Sequence, residues 1–203
     1  METGYEGILR GYLEKAWARG VEELVRALPA ELPSDGGLRF RAFGTDCMVH
    51  PDRITLDGRP ETGVKGVLTA IYCAFAPKEE SPLEPLVAFK EIPNSGPYQA
   101  AFAANAENLL VPHVDKIHEK QEAVLAAFSG HLNPDAPAGD FSFTLYPLPK
   151  IPLYYIFHLP DEEFPAAVTC LFGGSSHAFM PLDALADVAE YTGRRLLEML
   201  RTA

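Results

Sequence analysis

The sequence predicts a single α+β domain over residues 1–203, with a mixed, mostly antiparallel sheet of about six strands and helices packed on it. Three observations predict it. Apolar residues recur at helical spacing in several segments, and the short runs between them alternate with the period of strands. The stretch Leu148–Phe172, LPKIPLYYIFHLPDEEFPAAVTCLF, sets two apolar runs around a short acidic tip, the pattern of a buried hairpin. Eighteen prolines exceed the roughly 5% of average usage and suit many short elements joined by stiff loops. No internal repeat, low-complexity tract or long linker divides the chain.

Taken in order, Tyr5, Ile8, Leu9, Tyr12, Leu13, Ala16 and Trp17 give an amphipathic first helix ending near Gly20. Val21, Leu24, Val25 and Leu28 continue as a short helix that stops at Pro29. After the loop Pro33–Gly37 the period changes to two. Leu38, Phe40 and Ala42 alternate with arginines, Cys47-Met48-Val49 follows, and Ile54–Leu56 leads into Asp57-Gly58, so a meander of short strands is expected. Val64, Val67, Leu68, Ile71, Tyr72 and Phe75 form the cleanest helical stripe. A proline-rich break precedes a strand at Leu86–Phe89. Helices are expected from Tyr98 to Leu110 and from Val114 to Phe128, with Pro112 suited to the first turn of the latter.

Phe141, Phe143 and Leu145 alternate as a strand, and the central hairpin follows. In it, Ile151, Leu153, Tyr155 and Phe157 share one face, and Tyr154, Ile156 and His158 the other. Both faces are largely apolar, which places the strand centrally in a covered sheet. Leu159-Pro160-Asp161-Glu162 fits a type I turn at the tip. The last helix runs from about Pro181 to Leu200, with Asp183 in its first turn and Arg194, Arg195 and Arg201 near its end, complementing the helix dipole. Gly193 inside it admits a bend.

Composition narrows the function. A formal net charge of −11 without a Lys/Arg cluster disfavours nucleic acid and anionic membrane surfaces. Met1 is followed by a charged amphipathic segment, so neither a secretory leader nor a membrane span is expected. Cys47, Cys73 and Cys170 are odd in number and far apart, as befits reduced thiols in a cytoplasmic protein. No CxxC, P-loop or GxGxxG is present, which removes the commonest zinc, redox and nucleotide fingerprints.

Four constellations carry candidate chemistry. Asp161, Glu162 and Glu163 with His158 can offer hard oxygen ligands or a carboxylate base beside an imidazole; a solvated turn is the plain alternative. His118 and Glu122, four apart, share a helical face and can reach one ion, or simply form a polar surface. Gly173-Gly174-Ser175-Ser176-His177 can turn backbone N–H groups towards an anion ahead of the last helix, though it lacks the spacing of a nucleophile elbow. Lys90, Glu91 and Tyr98 flank a rigid loop and can line a pocket, or form an ordinary strand-edge ion pair.

Two phrases carry a family resemblance. Phe89-Lys90-Glu91 through Pro97-Tyr98 to Phe102, and Leu148-Pro149-Lys150-Ile151-Pro152 through Asp161-Glu162-Glu163-Phe164-Pro165, resemble an uncharacterised prokaryotic domain-of-unknown-function family, common in anaerobes. Some of its members are labelled corrinoid/iron–sulfur-protein-like. Relatives often carry tryptophan where His158 stands and an acidic residue where Gly173 follows Leu171-Phe172. The resemblance implies a cytoplasmic α+β domain and no reaction. Three scattered cysteines fall short of the four thiolates of an iron–sulfur cluster, and no Asp-x-His-x-x-Gly string for corrinoid ligation occurs.

The expected function is a non-enzymatic accessory module that binds a small molecule or a protein partner. Asp161, Glu162, Glu163 and His177 are its expected surface, with Lys90, Glu91 and Tyr98 as a second lining and His158 beside them. The alternative is a small metal-assisted or carboxylate/His-dependent hydrolase. A homo-oligomer burying Tyr5, Tyr12 and Trp17 is a third reading. No cofactor or metal is assigned.

Overall fold

Tight turns and short strands decide how this chain folds. The structure, a computed structural model, describes residues 4–34, 36–79, 84–134 and 139–201. Helix α1 (Gly4–Trp17) buries Leu9, Leu13 and Ala16, and α2 (Val21–Ala27) buries Leu24 and Ala27. Strands β1 (Leu38–Ala42), β2 (Thr45–Val49), β3 (Ile54–Leu56) and β4 (Arg59–Pro60) then form an antiparallel meander in sequence order. Its first and last hairpins close through two-residue loops, Phe43-Gly44 and Asp57-Gly58, in which both residues have positive φ. That is the geometry of a type I′ turn, whose twist matches that of the strands. Phe43 tolerates φ +49° because its ring is fully buried and its N–H donates to Pro147 O at 2.7 Å, tying the meander to the second sheet.

Helix α3 (Val64–Phe75) follows, buried on most of its surface and packed on α1. The second sheet holds β5 (Leu86–Ala88), β6 (His131–Leu132), β7 (Phe141–Leu148), β8 (Ile151–His158) and β9 (Ala167–Gly173), in the order β5-β9-β8-β7-β6. The α+β class and the central hairpin are as expected. Among the described residues the strands divide between two sheets of four and five, and every pairing is antiparallel, instead of one mixed sheet of about six. Two-residue strands such as β4 and β6 are too short to show alternation, so the sequence undercounts them.

The hairpin pairs His158 with Ala167 and Leu153 with Phe172, which leaves β8 third among five strands. Phe141, Phe143, Tyr155 and Phe157 pack their rings together on β7 and β8, with centroids 4.6 Å apart for Phe141–Phe157 and 4.9 Å for Phe143–Phe157. At the β7–β8 turn, Lys150 is nearly buried and its Nζ donates to the carbonyls of Pro77, Lys78 and Glu79 at 3.3, 2.9 and 3.1 Å. Arg19 does the same at the end of α3 itself, giving Nη1 to Cys73 O and Nη2 to Ala76 O, both at 2.7 Å. Cations there suit the negative end of the helix dipole.

The helices between the sheet segments are more broken than the spacing suggests. Tyr98 to Leu110 is a 3-10 turn (Gly96–Tyr98), then α4 (Gln99–Phe102), then a π-helical turn (Ala103–Glu107). Val114 to Phe128 splits into α5 (Val114–Glu119) and α6 (Gln121–Phe128) at Lys120, whose Nζ reaches Leu200 O at 3.2 Å. Pro112 lies in a 3-10 turn ahead of α5. Ile117, Val124 and Phe128 still face the core across the break, which is why the periodicity concealed it.

Helix α7 (Leu182–Arg201) runs unbroken through Gly193. A Cβ built there would meet Ala106 O, Leu109 and Leu110 at 3.7 Å, ordinary contact distance. Gly193→Ala is therefore expected to stabilise the protein by about 1 kcal/mol, the helix-propensity difference. Urea unfolding of the variant checks this; a loss of stability would show that the contact is tighter than the geometry indicates.

Candidate functional site

The site arises where β5 leaves the sheet. It faces β9 only from Leu86–Gly173 to Ala88–Leu171. Beyond Ala88 the chain coils into the 3-10 turn Phe89–Glu91, because Glu91 Oε2 accepts the Ala88 N–H at 2.8 Å and the Phe89 ring turns inward. Phe89 stacks on Phe102 with centroids 4.3 Å apart and planes 10° from parallel, and both rings rest on Phe172 of β9. Among the described residues, the outer edge of β9 before Leu171 thus has no strand beside it.

Glu107 completes that edge. It ends the π-helical turn, where the Asn108 N–H reaches back to Ala103 O at 2.8 Å, and its Oε1 accepts the Cys170 N–H at 2.9 Å. A side-chain carboxylate takes the hydrogen bond that a continuing β5 would have taken. π-Helical turns insert an extra residue into a helix and recur at functional sites.

In front of Glu107 opens a cavity of about 320 Å³, walled by Ala88, Phe89, Phe102 and Ala103, with Lys90, Gln99 and Thr169 around it. Burial pushes the Glu107 carboxyl above its ordinary range, while the Cys170 N–H and the Lys90 charge pull in the opposite direction. Behind it, burial and the Glu107 charge raise the Cys170 thiol. The buried Tyr155 hydroxyl has no nitrogen or oxygen partner among the described residues and is raised by burial and the neighbouring Cys170.

The Glu107 shift sets a sign. A carboxyl that holds its proton more tightly in the folded state favours folding at low pH and loses that contribution as pH rises past 4.5, its ordinary value, and through its raised folded value. Glu107→Gln removes the titration and keeps an acceptor for Cys170. Its stability relative to the parent protein is expected to improve as pH rises past 4.5 and to level off above the raised folded value, read by chemical unfolding at each pH; a pH-independent difference contradicts the assignment.

The other expected residues fall in three places. Lys90 lines this cavity, Glu91 is occupied in holding Ala88, and Tyr98 is exposed at the end of its 3-10 turn. His158 and Asp161 line a hollow of about 460 Å³ beside Asp140 and Phe164 at the hairpin tip, while Glu162 and Glu163 are exposed. The tip closes two residues later than a Leu159–Glu162 turn: Asp161 N donates to Phe164 O, and Asp161 Oδ1 accepts from Phe164 N and Glu163 N at 2.7 and 2.8 Å. Those two N–H groups hold the Asp161 carboxyl below its ordinary range.

His177 lies in the 3-10 turn Ser176–Ala178, separated from the start of α7 by Phe179, Met180 and Pro181, so that loop does not sit on the helix N-terminus. His118 and Glu122 belong to different helices, and the His118 ring stacks on Phe141 at 4.5 Å. Among the described residues no group of three or more His, Cys, Asp or Glu is placed to hold a metal ion.

A larger, open groove of about 660 Å³ runs beside Arg39, Arg41, Asp46 and Tyr146. Its guanidinium groups are committed to the Asp46 carboxylate and to the carbonyls of Ala127 and Gly44. Glu107, Gln99 and Thr169 are not singled out by the sequence, and Phe102 enters there only as the end of a family phrase. Glu107 stands in a helical pattern as one more polar position, and its partner Cys170 is 63 residues away.

Fold and site together define an α+β protein with a pocket of small-molecule size at an unfinished sheet edge. The chain belongs to the family described as a domain of unknown function (DUF3786), whose model matches residues 21–195. The match supports the family resemblance and carries neither a reaction nor a corrinoid or iron–sulfur association. No curated protein and no solved structure matches the chain. No described helix is long and apolar enough to cross a membrane.

Proposed function

We propose that this protein is a cytoplasmic, non-enzymatic accessory module that binds a small molecule in the pocket between the Phe89–Glu91 turn, the π-helical turn and β9. One observation carries the reading. Glu107 is half-buried, fixed through Oε1 to the sheet edge, and faces an aromatic-walled cavity at whose mouth Lys90 is exposed. Apolar walls with a few placed polar groups, one of them with a shifted pKa, are the usual makings of a ligand site. Three buried thiols without a disulfide suit the cytoplasm.

The hydrolase alternative asks for acid, base and nucleophile within a few ångströms. Among the described residues no histidine lines the Glu107 cavity, and at the tip the carboxylates beside His158 are engaged, Asp140 by the Leu159 N–H and Asp161 by the Glu163 and Phe164 N–H groups. The hairpin tip, with Glu162 and Glu163, and the His177 loop remain surface for a protein partner, and nucleic acid and membranes remain disfavoured by the charge of −11.

The test is a fragment screen read by amide ¹H–¹⁵N shifts, with native mass spectrometry of protein from its own host. Binders are expected to move the signals of Lys90, Ala103, Glu107, Thr169 and Cys170. If no fragment moves them, or all binders gather elsewhere, the pocket is not the site.

A further inference from the structure

Lys90 and Glu107 bring opposite charges to one cavity without an ion pair between them. Glu107 spends Oε1 on the Cys170 N–H, and Oε2 meets no donor among the described residues. The Lys90 carbonyl accepts from Gln99 at 3.4 Å, while its ammonium has no ion-pair partner among the described residues. Both groups therefore have capacity left for a third body. A simple anion drawn to Lys90 meets the Glu107 carboxylate, and a simple cation drawn to Glu107 meets the Lys90 ammonium; each wall selects against what the other attracts.

We propose that the ligand is a small zwitterion of amino-acid type, its ammonium donating to Glu107 Oε2 and its carboxylate meeting Lys90, with an apolar side chain against Phe89 and Phe102. This rests on the reading of the pocket as a ligand site and names the class of ligand. A volume of about 320 Å³ lies at the small end of ligand cavities and suits so compact a molecule. Once bound, the ammonium stabilises the ionised form of Glu107, so the ligand also offsets the cost of burying that carboxylate.

The test uses the full chain, titrated by calorimetry and by amide shifts with apolar α-, β- and γ-amino acids. Each is paired with its deaminated acid and its decarboxylated amine. At least one amino acid is expected to bind and shift the Thr169 and Cys170 amides, with both truncated analogues about ten-fold weaker or worse. Glu107→Gln keeps an acceptor for Cys170; it is expected to weaken the amino acid about ten-fold and to strengthen its deaminated acid, from which a repelling charge has been removed. Lys90→Met is expected to do the converse, weakening the amino acid and strengthening the amine. If singly charged or neutral compounds bind the pocket and amino acids do not, the zwitterion is overturned and the ligand site stands. If no compound of any class reaches the pocket, both fall.

Discussion

Lys150→Met is expected to cost about 3 kcal/mol of folding stability, more than any surface substitution in this chain. The ammonium of Lys150 is nearly buried and donates to three successive carbonyls, those of Pro77, Lys78 and Glu79. Hydrogen bonds to a charged group contribute roughly 1.5–3 kcal/mol each in isolation, and they are not additive when one donor serves three acceptors. Methionine keeps most of the apolar stem and removes the charge, so the loss isolates the hydrogen bonds from the packing. Guanidinium unfolding reads it directly. A loss below about 1 kcal/mol would mean that water replaces the ammonium at those carbonyls.

Phe172→Ala is expected to cost about 3–5 kcal/mol, the range for truncating a fully buried aromatic ring. Phe172 is wholly buried on β9 and supports both rings of the Phe89–Phe102 stack, with centroids 5.9 and 5.7 Å away. The substitution therefore acts on the pocket as well as on the core. Fragment binding at the Glu107 cavity is expected to disappear in this variant even under conditions where it stays folded, as judged by near-ultraviolet circular dichroism. Retained binding would show that the two stacked rings hold their place without support from the sheet.

The elements legible in the sequence share one property: their signals are local. The β8–β9 hairpin announced itself because apolar runs on both sides of a proline-bounded tip can pair with little else, and α3 because its stripe spans three turns. Asp57-Gly58 marked a real type I′ turn. The division into two sheets was not legible, because the backbone hydrogen bond that ties them, from Phe43 N–H to Pro147 O, joins residues far apart in the chain.

The site was legible only in part. The sequence marks Lys90, Glu91 and Tyr98 as one pocket lining; Lys90 does line the cavity, whereas Glu91 turns back to hold the Ala88 N–H and Tyr98 is exposed. Glu107 acquires its character from burial and from an amide far along the chain, neither of which leaves a mark in local spacing. The Leu148–Pro152 phrase, prominent in the family resemblance, has a structural basis here in the Lys150 clamp, which fastens the β7–β8 turn to the chain that leaves α3.

Where a strand gives way to a lone acidic side chain, main-chain protection becomes conditional. The amide hydrogen of Cys170 is shielded by one group that can itself take up a proton or engage a visitor, whereas interior ladder hydrogens are released only by wider opening. Deuterium uptake at that single position should therefore follow the ionisation and occupancy of Glu107. The molecule thus carries its own gauge, readable without any added label.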